Sequence, residues 1–241
     1  MDRCLMQVHA HPDDEASKGA CAAALYAARA VRTVLVTCTG GEAGEILNPA
    51  ADTPEARADL GAVRRRELEA SAAILGYSAV HLLGYRDSGM PDSEANADPR
   101  NFWNAPAEEA TERLVRIVRA ERPQVIIAYG EDHSRYPHPD HIRAHEIAIA
   151  AFDAAGLPGV FPGAGEPWQP LKLYWCGFST QSIRAAHQAI LATGAQSPFG
   201  EWLDGRPDHD DEFTTRLDVG DVLERRRDAL LAHATQVPPD S

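Results

Sequence analysis

At 241 residues, with 44% hydrophobic and 24% charged side chains, the chain has the size and composition of one sizeable soluble α/β domain. A formal net charge of −13 argues against the basic face that nucleic acid needs and against docking on an anionic membrane. Cys4, Cys21, Cys38 and Cys176 are widely spaced, no CxxC pair occurs, and no secretory or membrane-length apolar run is present, so free thiols and a cytoplasmic setting are expected.

The apolar pattern alternates short runs with helical stretches. Leu5–His9 reads as a strand and the alanine-rich 19–31 as a helix. Residues 33–38 (TVLVTC) are β-branched and almost wholly apolar, as a strand buried on both faces should be. A helix is predicted over 56–75, a short strand over 79–83, and a helix over 106–122 with Glu108 and Glu109 in its first turn. Residues 124–129 (QVIIAY) form the next strand. A helix over 139–155 follows, stopped by Gly156. Strand 172–176, helix 182–192, a last strand over 213–219 and helix 221–234 complete the reading. Such alternation predicts an α/β fold: a parallel sheet with helices on both faces, in a single domain spanning 1–241. The loops 40–53, 84–105, 156–170 and 196–211 are rich in Gly, Pro, Asp and Asn, and several follow strands, where such sheets bind ligands.

One tripeptide occurs at two predicted strand-to-helix corners. His11-Pro12-Asp13 opens His-Pro-Asp-Asp-Glu, and His138-Pro139-Asp140 opens His-Pro-Asp-His. Proline suits a first helical turn, where its missing N–H is not needed. Brought together, the corners supply His11, Asp14 and His141 as ligands for a divalent ion with an open position. Two imidazoles and a carboxylate suit Zn²⁺, with Fe²⁺ as the alternative, better than Mg²⁺ or Ca²⁺. Asp13 adjoins Asp14 and is placed to act as general base for the water that the ion activates; the other reading is a group that merely holds a ligand histidine. His138 lies one helical turn from His141 and can stabilise a developing oxyanion, unless it is a fourth ligand. Asp140 is expected to hold His138 in its charged form, and Tyr136 to donate its hydroxyl to the same oxyanion. His9 and His145 are expected to pack or support, and His81, His133, His187, His209 and His233 to take no part in metal binding. The Gly40-Gly41-Glu42-Ala43-Gly44 loop is not GxGxxG and follows the second strand, so a dinucleotide role is not expected.

These corners resemble the LmbE-like (PIG-L) family of zinc-dependent N-deacetylases and amidases. The resemblance also runs through Ser17-Lys18-Gly19, Gly40-Gly41-Glu42, Gly44-Glu45-Ile46-Leu47-Asn48-Pro49, Asp87-Ser88-Gly89, Tyr136-Pro137 and His233-Ala234-Thr235-Gln236. It covers nearly the whole chain and is nearest the branch of mycothiol S-conjugate amidases, next to the N-acetylglucosaminyl-inositol deacetylases. It implies a Rossmann-like fold, zinc on His11, Asp14 and His141, Asp13 as base, and His138 with Tyr136 around the tetrahedral intermediate. It further implies contacts from Arg64, Asp87 and Glu45 to a glucosaminyl-inositol unit. Lys18 matches the amidase pattern and would meet the acyl part of a larger thiol-conjugate substrate. The chain stops at Ser241, where the amidases it resembles run on, so a paralogue acting on another aminosugar or thiol conjugate shares the same expected core.

Overall fold

The computed structural model describes residues 3–131, 136–205, 208 and 210–237. Among these residues five strands form one parallel sheet: β1 (Cys4–His9), β2 (Arg32–Thr39), β3 (Ala79–Tyr85), β4 (Val125–Tyr129) and β5 (Lys172–Cys176). Their order is β3-β2-β1-β4-β5. The helices are α1 (Asp14–Ser17), α2 (Ala20–Ala28), α3 (Pro54–Ala58), α4 (Leu60–Leu75), α5 (Glu94–Ala97), α6 (Ala107–Glu121), α7 (Pro139–Ala154), α8 (Thr180–Ala192), α9 (Gly200–Leu203) and α10 (Leu223–Ala232). Among the described residues no helix is long and apolar enough to cross a membrane.

The period-two alternation of β1 decides its packing. Cys4, Met6, Val8 and Ala10 point into a core shared with Leu114, Val115 and Val118 of α6 and Ala144, Ile147 and Ala148 of α7. On the other face, Leu35 of β2 packs on Leu68 and Ala72 of α4, while Leu75 of α4 joins Ala24 of α2 and Ala229 of α10. That second face is not wholly apolar. Gln7 and His9 are fully buried there, and the Tyr77 hydroxyl donates to Gln7 Oε1 at 2.6 Å, which also lies 3.1 Å from His9 Nε2.

The chain divides into two compact units, residues 1–176 with 219–241, and residues 177–218. The first carries the sheet. In the second, the Asp210 carboxylate accepts from Ser179 Oγ, Thr180 N and Gln181 N and so caps α8, while His187 meets Ser197 at 2.8 Å.

Most predicted elements form within a few residues of their expected ends. The stretch expected as one helix over 56–75 is broken at Asp59, whose extended backbone (φ −151°, ψ 78°) ends α3 and whose carboxylate accepts from Ala62 N to start α4. Residues 213–219 form no strand: the segment takes no place in the sheet, and Thr214 to Asp218 are exposed. Its β-branched composition favours extension, but a strand needs a ladder partner and a buried face. At the first corner Pro12 lies outside the short helix α1, whereas Pro139 does occupy the first turn of α7.

Candidate metal centre and active site

The two corners meet because β1 and β4 are neighbours. Leu5, Met6 and Gln7 pair with Val125, Ile126 and Ile127, so both strands deliver their carboxyl ends to the same edge of the sheet. This is the crevice where an open parallel sheet changes winding direction. His11 and Asp14 follow β1, and His138 to His141 open α7 beyond β4.

Asp14 Oδ2 lies 3.5 Å from His11 Nδ1 and 3.4 Å from His141 Nε2. Ligand atoms around a tetrahedral ion with bonds of about 2.0–2.1 Å stand about 3.3–3.4 Å apart, so this buried triad fits one metal ion. The tautomer of His11 fits as well. Its Nε2 faces Asp140 Oδ2 at 3.1 Å, which leaves the Nδ1 lone pair for the ion. Asp140 is wholly buried and its carboxylate also accepts from Ser88 N at 2.9 Å and from Ser88 Oγ.

Asp140 therefore corrects the sequence reading. Its carboxylate bonds to His11, while its backbone N–H donates to Nδ1 of His138, the cap of α7, at 3.2 Å; its charge favours a charged His138, but burial and His11 outweigh it. A neutral His138 then carries its proton on Nε2. His138 belongs to a second group with His11, Asp87 and Asp140, distinct from the His11, Asp14 and His141 triad.

Electrostatics separate these groups. Burial works against charge on Asp14, but Lys18 and His141 hold its carboxyl well below the ordinary range. Burial likewise opposes charge on His11, yet its bonds to Asp14 and Asp140 push its pKa up to about 10. Metal binding would displace that proton. Burial lowers His141 despite Asp14, which favours the neutral imidazole a ligand needs. Burial and then the charge of His11 push His138 down to about 4. Burial and then Asp14 push Asp13 up to about 6, against Arg64 and His11.

Asp13 has φ 106° and ψ −24°, a left-handed conformation that costs a non-glycine residue about 1–3 kcal/mol. Arg64 donates to Asp13 Oδ2 at 2.8 Å, to Gly41 O at 2.7 Å and to Pro12 O. A Cβ at Gly41, itself at φ +67°, would meet the guanidinium at 2.5 Å, so the glycine loop is what lets Arg64 approach.

A cavity of about 1200 Å³ opens over the triad. His11, Asp13, Asp14, Lys18, Glu45, Arg64, Asp87, Tyr136, His138 and His141 all line it, so of the residues singled out by sequence only Asp140 lies behind the wall. Lys18 is not a solvated helix-start lysine: its ammonium sits 2.6 Å from Asp14 Oδ1. Asp87 is buried, its Oδ1 accepting from Gly89 N while its own N–H donates to Glu42 Oε1. Tyr136 is half exposed, its ring 5.1 Å from that of His141. His9 and His145 stay out of the triad: His9 lies on Gln7, and His145 Nδ1 is 2.9 Å from Tyr129 O. His81 pairs with Glu121; His133 and His209 lie outside the described residues.

Sequence reasoning missed Tyr129. It ends β4, its ring stacks on His141 at 4.5 Å, and its hydroxyl donates to Asp14 Oδ2 at 2.7 Å while accepting from Ala10 N. The signal was an aromatic closing the strand that leads to the second corner. Tyr129→Phe is expected to weaken metal binding about 10- to 100-fold. Competition against a chromophoric chelator measures this, and unchanged affinity would show that the hydroxyl does not tune Asp14.

A profile of the GlcNAc-PI de-N-acetylase (PIG-L) family matches residues 6–152, which include both corners. The chain belongs to the PIG-L family. It is 41% identical to a 1D-myo-inositol 2-acetamido-2-deoxy-alpha-D-glucopyranoside deacetylase of Geodermatophilus obscurus, over 99% of this chain and 84% of that protein. It is 40% identical to a mycothiol S-conjugate amidase of Streptomyces coelicolor, over 98% and 83%. Among solved structures, the N,N'-diacetylchitobiose deacetylase of Pyrococcus horikoshii superposes with a TM-score of 0.69 at 21% identity, over 99% of this chain and 72% of that one. The fold is thus that of the PIG-L deacetylases, and the chain has the relatives of a deacetylase or amidase.

Proposed function

We propose that this PIG-L protein hydrolyses an N-acyl amide bond on a glucosaminyl-type substrate, with Zn²⁺ held by His11, Asp14 and His141. The observation that carries the reading is the triad, spaced for one tetrahedral ion at the floor of a cavity that the other candidate residues line. The bound ion would polarise the amide carbonyl and acidify water. Asp13, whose side chain is 28% exposed and faces the cavity, takes the proton from the attacking water. His138 has Nδ1 occupied, so its Nε2–H remains to donate to the carbonyl oxygen as charge develops, with the Tyr136 ring 5.9 Å from its own. Asp140 keeps His11 in the ligand tautomer. Asp13 then passes the proton it took from the water to the departing amine.

Lys18, Glu45, Arg64 and Asp87 are the proposed substrate contacts. Ligand pockets are commonly about 300–1,000 Å³. A cavity of about 1200 Å³ with Lys18 on its wall favours the larger acyl group of a thiol conjugate, as in a mycothiol S-conjugate amidase or close paralogue. The second reading is N-deacetylation of an N-acetylglucosaminyl-inositol or a similar aminosugar, favoured by the 41% and 43% identities to deacetylases. A side-by-side assay of both substrates on metal-loaded protein decides. Release of a cysteine S-conjugate supports the first, release of acetate the second, and hydrolysis of neither refutes both.

His138→Ala is expected to lower kcat about 10²- to 10³-fold with metal content unchanged. Loss of the ion instead would make His138 a ligand.

A further inference from the structure

The carboxyl-terminal turn, His233 to Gln236, lies far in sequence from either corner, yet it is built into the back of the first one. Glu15 is fully buried and spans between them. Its Oε2 accepts the Asp13 N–H at 2.9 Å. Its Oε1 lies 2.6 Å from His233 Nε2 and accepts from Ser71 Oγ. His233 is fully buried as well, and its other nitrogen, Nδ1, has no hydrogen-bond partner among the described residues. Glu15 is therefore its one polar anchor there.

The turn carrying His233 is itself fixed. Thr235 donates from N and Oγ1 to the two oxygens of Glu67 at 2.8 and 2.7 Å. Asn48 Nδ2 donates to Ala234 O at 2.8 Å, and Leu47 N to Thr235 O at 2.8 Å. A carboxylate buried with its donors in place is rigid, because each lost bond would leave an unpaired polar group away from water. At the other end of this chain of bonds, Asp13 holds a positive φ that its own side chain disfavours.

We propose that Glu15 and His233 are positioning residues: by gripping the Asp13 N–H they keep Asp13 in its left-handed conformation, with its carboxylate aimed into the cavity. The inference rests on Asp13 acting as the base in the reading above. Arg64 fixes the carboxylate from one side and Glu15 fixes the backbone from the other. Without the second grip the strained residue relaxes, and a displacement of about 1 Å at a reacting group can cost about 10²-fold in rate.

The test compares Glu15→Ala and His233→Ala with Glu15→Gln and His233→Gln, all metal-loaded. A glutamine at either position can rebuild the hydrogen bonds; an alanine cannot. The alanine variants are expected to lose about 10²-fold in kcat, with KM and metal stoichiometry unchanged, and the glutamine variants to recover most of it. Crystal structures of the alanine variants should show Asp13 at negative φ, with its carboxylate swung from the cavity. Folded alanine variants that keep wild-type kcat, or that keep Asp13 at positive φ and unmoved, overturn the inference. Should they not fold, His233→Asn, too short to reach Glu15, must lose rate and shift Asp13 while His233→Gln does not; equal behaviour of the two overturns it. If the wild type hydrolyses neither amide, the functional reading fails, and the conformation of Asp13 in the variants still decides this inference.

Discussion

Asp13→Ala is expected to lower kcat about 10²- to 10⁴-fold, the usual range for a lost general base, while the protein keeps one metal ion per chain. The separation of the two effects follows from the geometry. Asp14 meets His11 and His141, whereas the Asp13 carboxylate meets Arg64 and lines the cavity. Asp13→Ala also removes a carboxylate from beside Asp14, and nothing in the triad loses a partner. Metal content by elemental analysis and single-turnover kinetics check it together. Full activity in the variant would remove Asp13 from the chemistry, and loss of the ion would make it a ligand. Asp13→Asn is the sharper variant, since its amide can still accept from Arg64 but cannot take a proton.

His141→Ala is expected to do the opposite: the ion goes first and turnover goes with it. His141 is buried, its Nε2 faces Asp14 Oδ2 at 3.4 Å, and its ring lies flat on that of Tyr129, so its orientation is set by packing before any ion arrives. Removing it leaves one imidazole and one carboxylate, and Lys18 is already poised at 2.6 Å to neutralise Asp14 in place of a metal. Titration with Zn²⁺ should show affinity weakened by several orders of magnitude and activity below detection at equimolar metal. Stoichiometric, tight Zn²⁺ in the folded variant would mean that the ion sits elsewhere, and the second group of His11, Asp87, His138 and Asp140 would be the place to look.

The repeated tripeptide made this site legible because its chemistry is local. A histidine and acidic residues at the end of an apolar run announce themselves, and the alternation of strands and helices says that such corners share an edge of the sheet. What sequence could not supply was partnership. Asp140 sits two residues from His138 in the chain, which suggested that pair, but the α7 backbone occupies His138 while the buried carboxylate turns to His11 and Ser88. Tyr129 reads as an ordinary strand residue until β4 is set beside β1. The link from His233 to Glu15 was hidden for the same reason: it spans 218 residues. The break at Asp59 was open to a closer reading, since an aspartate before an apolar run is a helix start as well as a helical surface residue. The absent strand at 213–219 was not, because β-propensity does not say whether a sheet edge will be there to receive it.

The proposed amide hydrolysis requires one ion shared by the two corners. The measurement that tests it most directly is activity against an N-acylglucosaminyl substrate after exhaustive chelation and stepwise return of Zn²⁺, with metal content followed throughout. The predicted result is no turnover in the chelated protein and recovery that saturates at one ion per chain. Undiminished turnover in protein shown to hold no metal would contradict it.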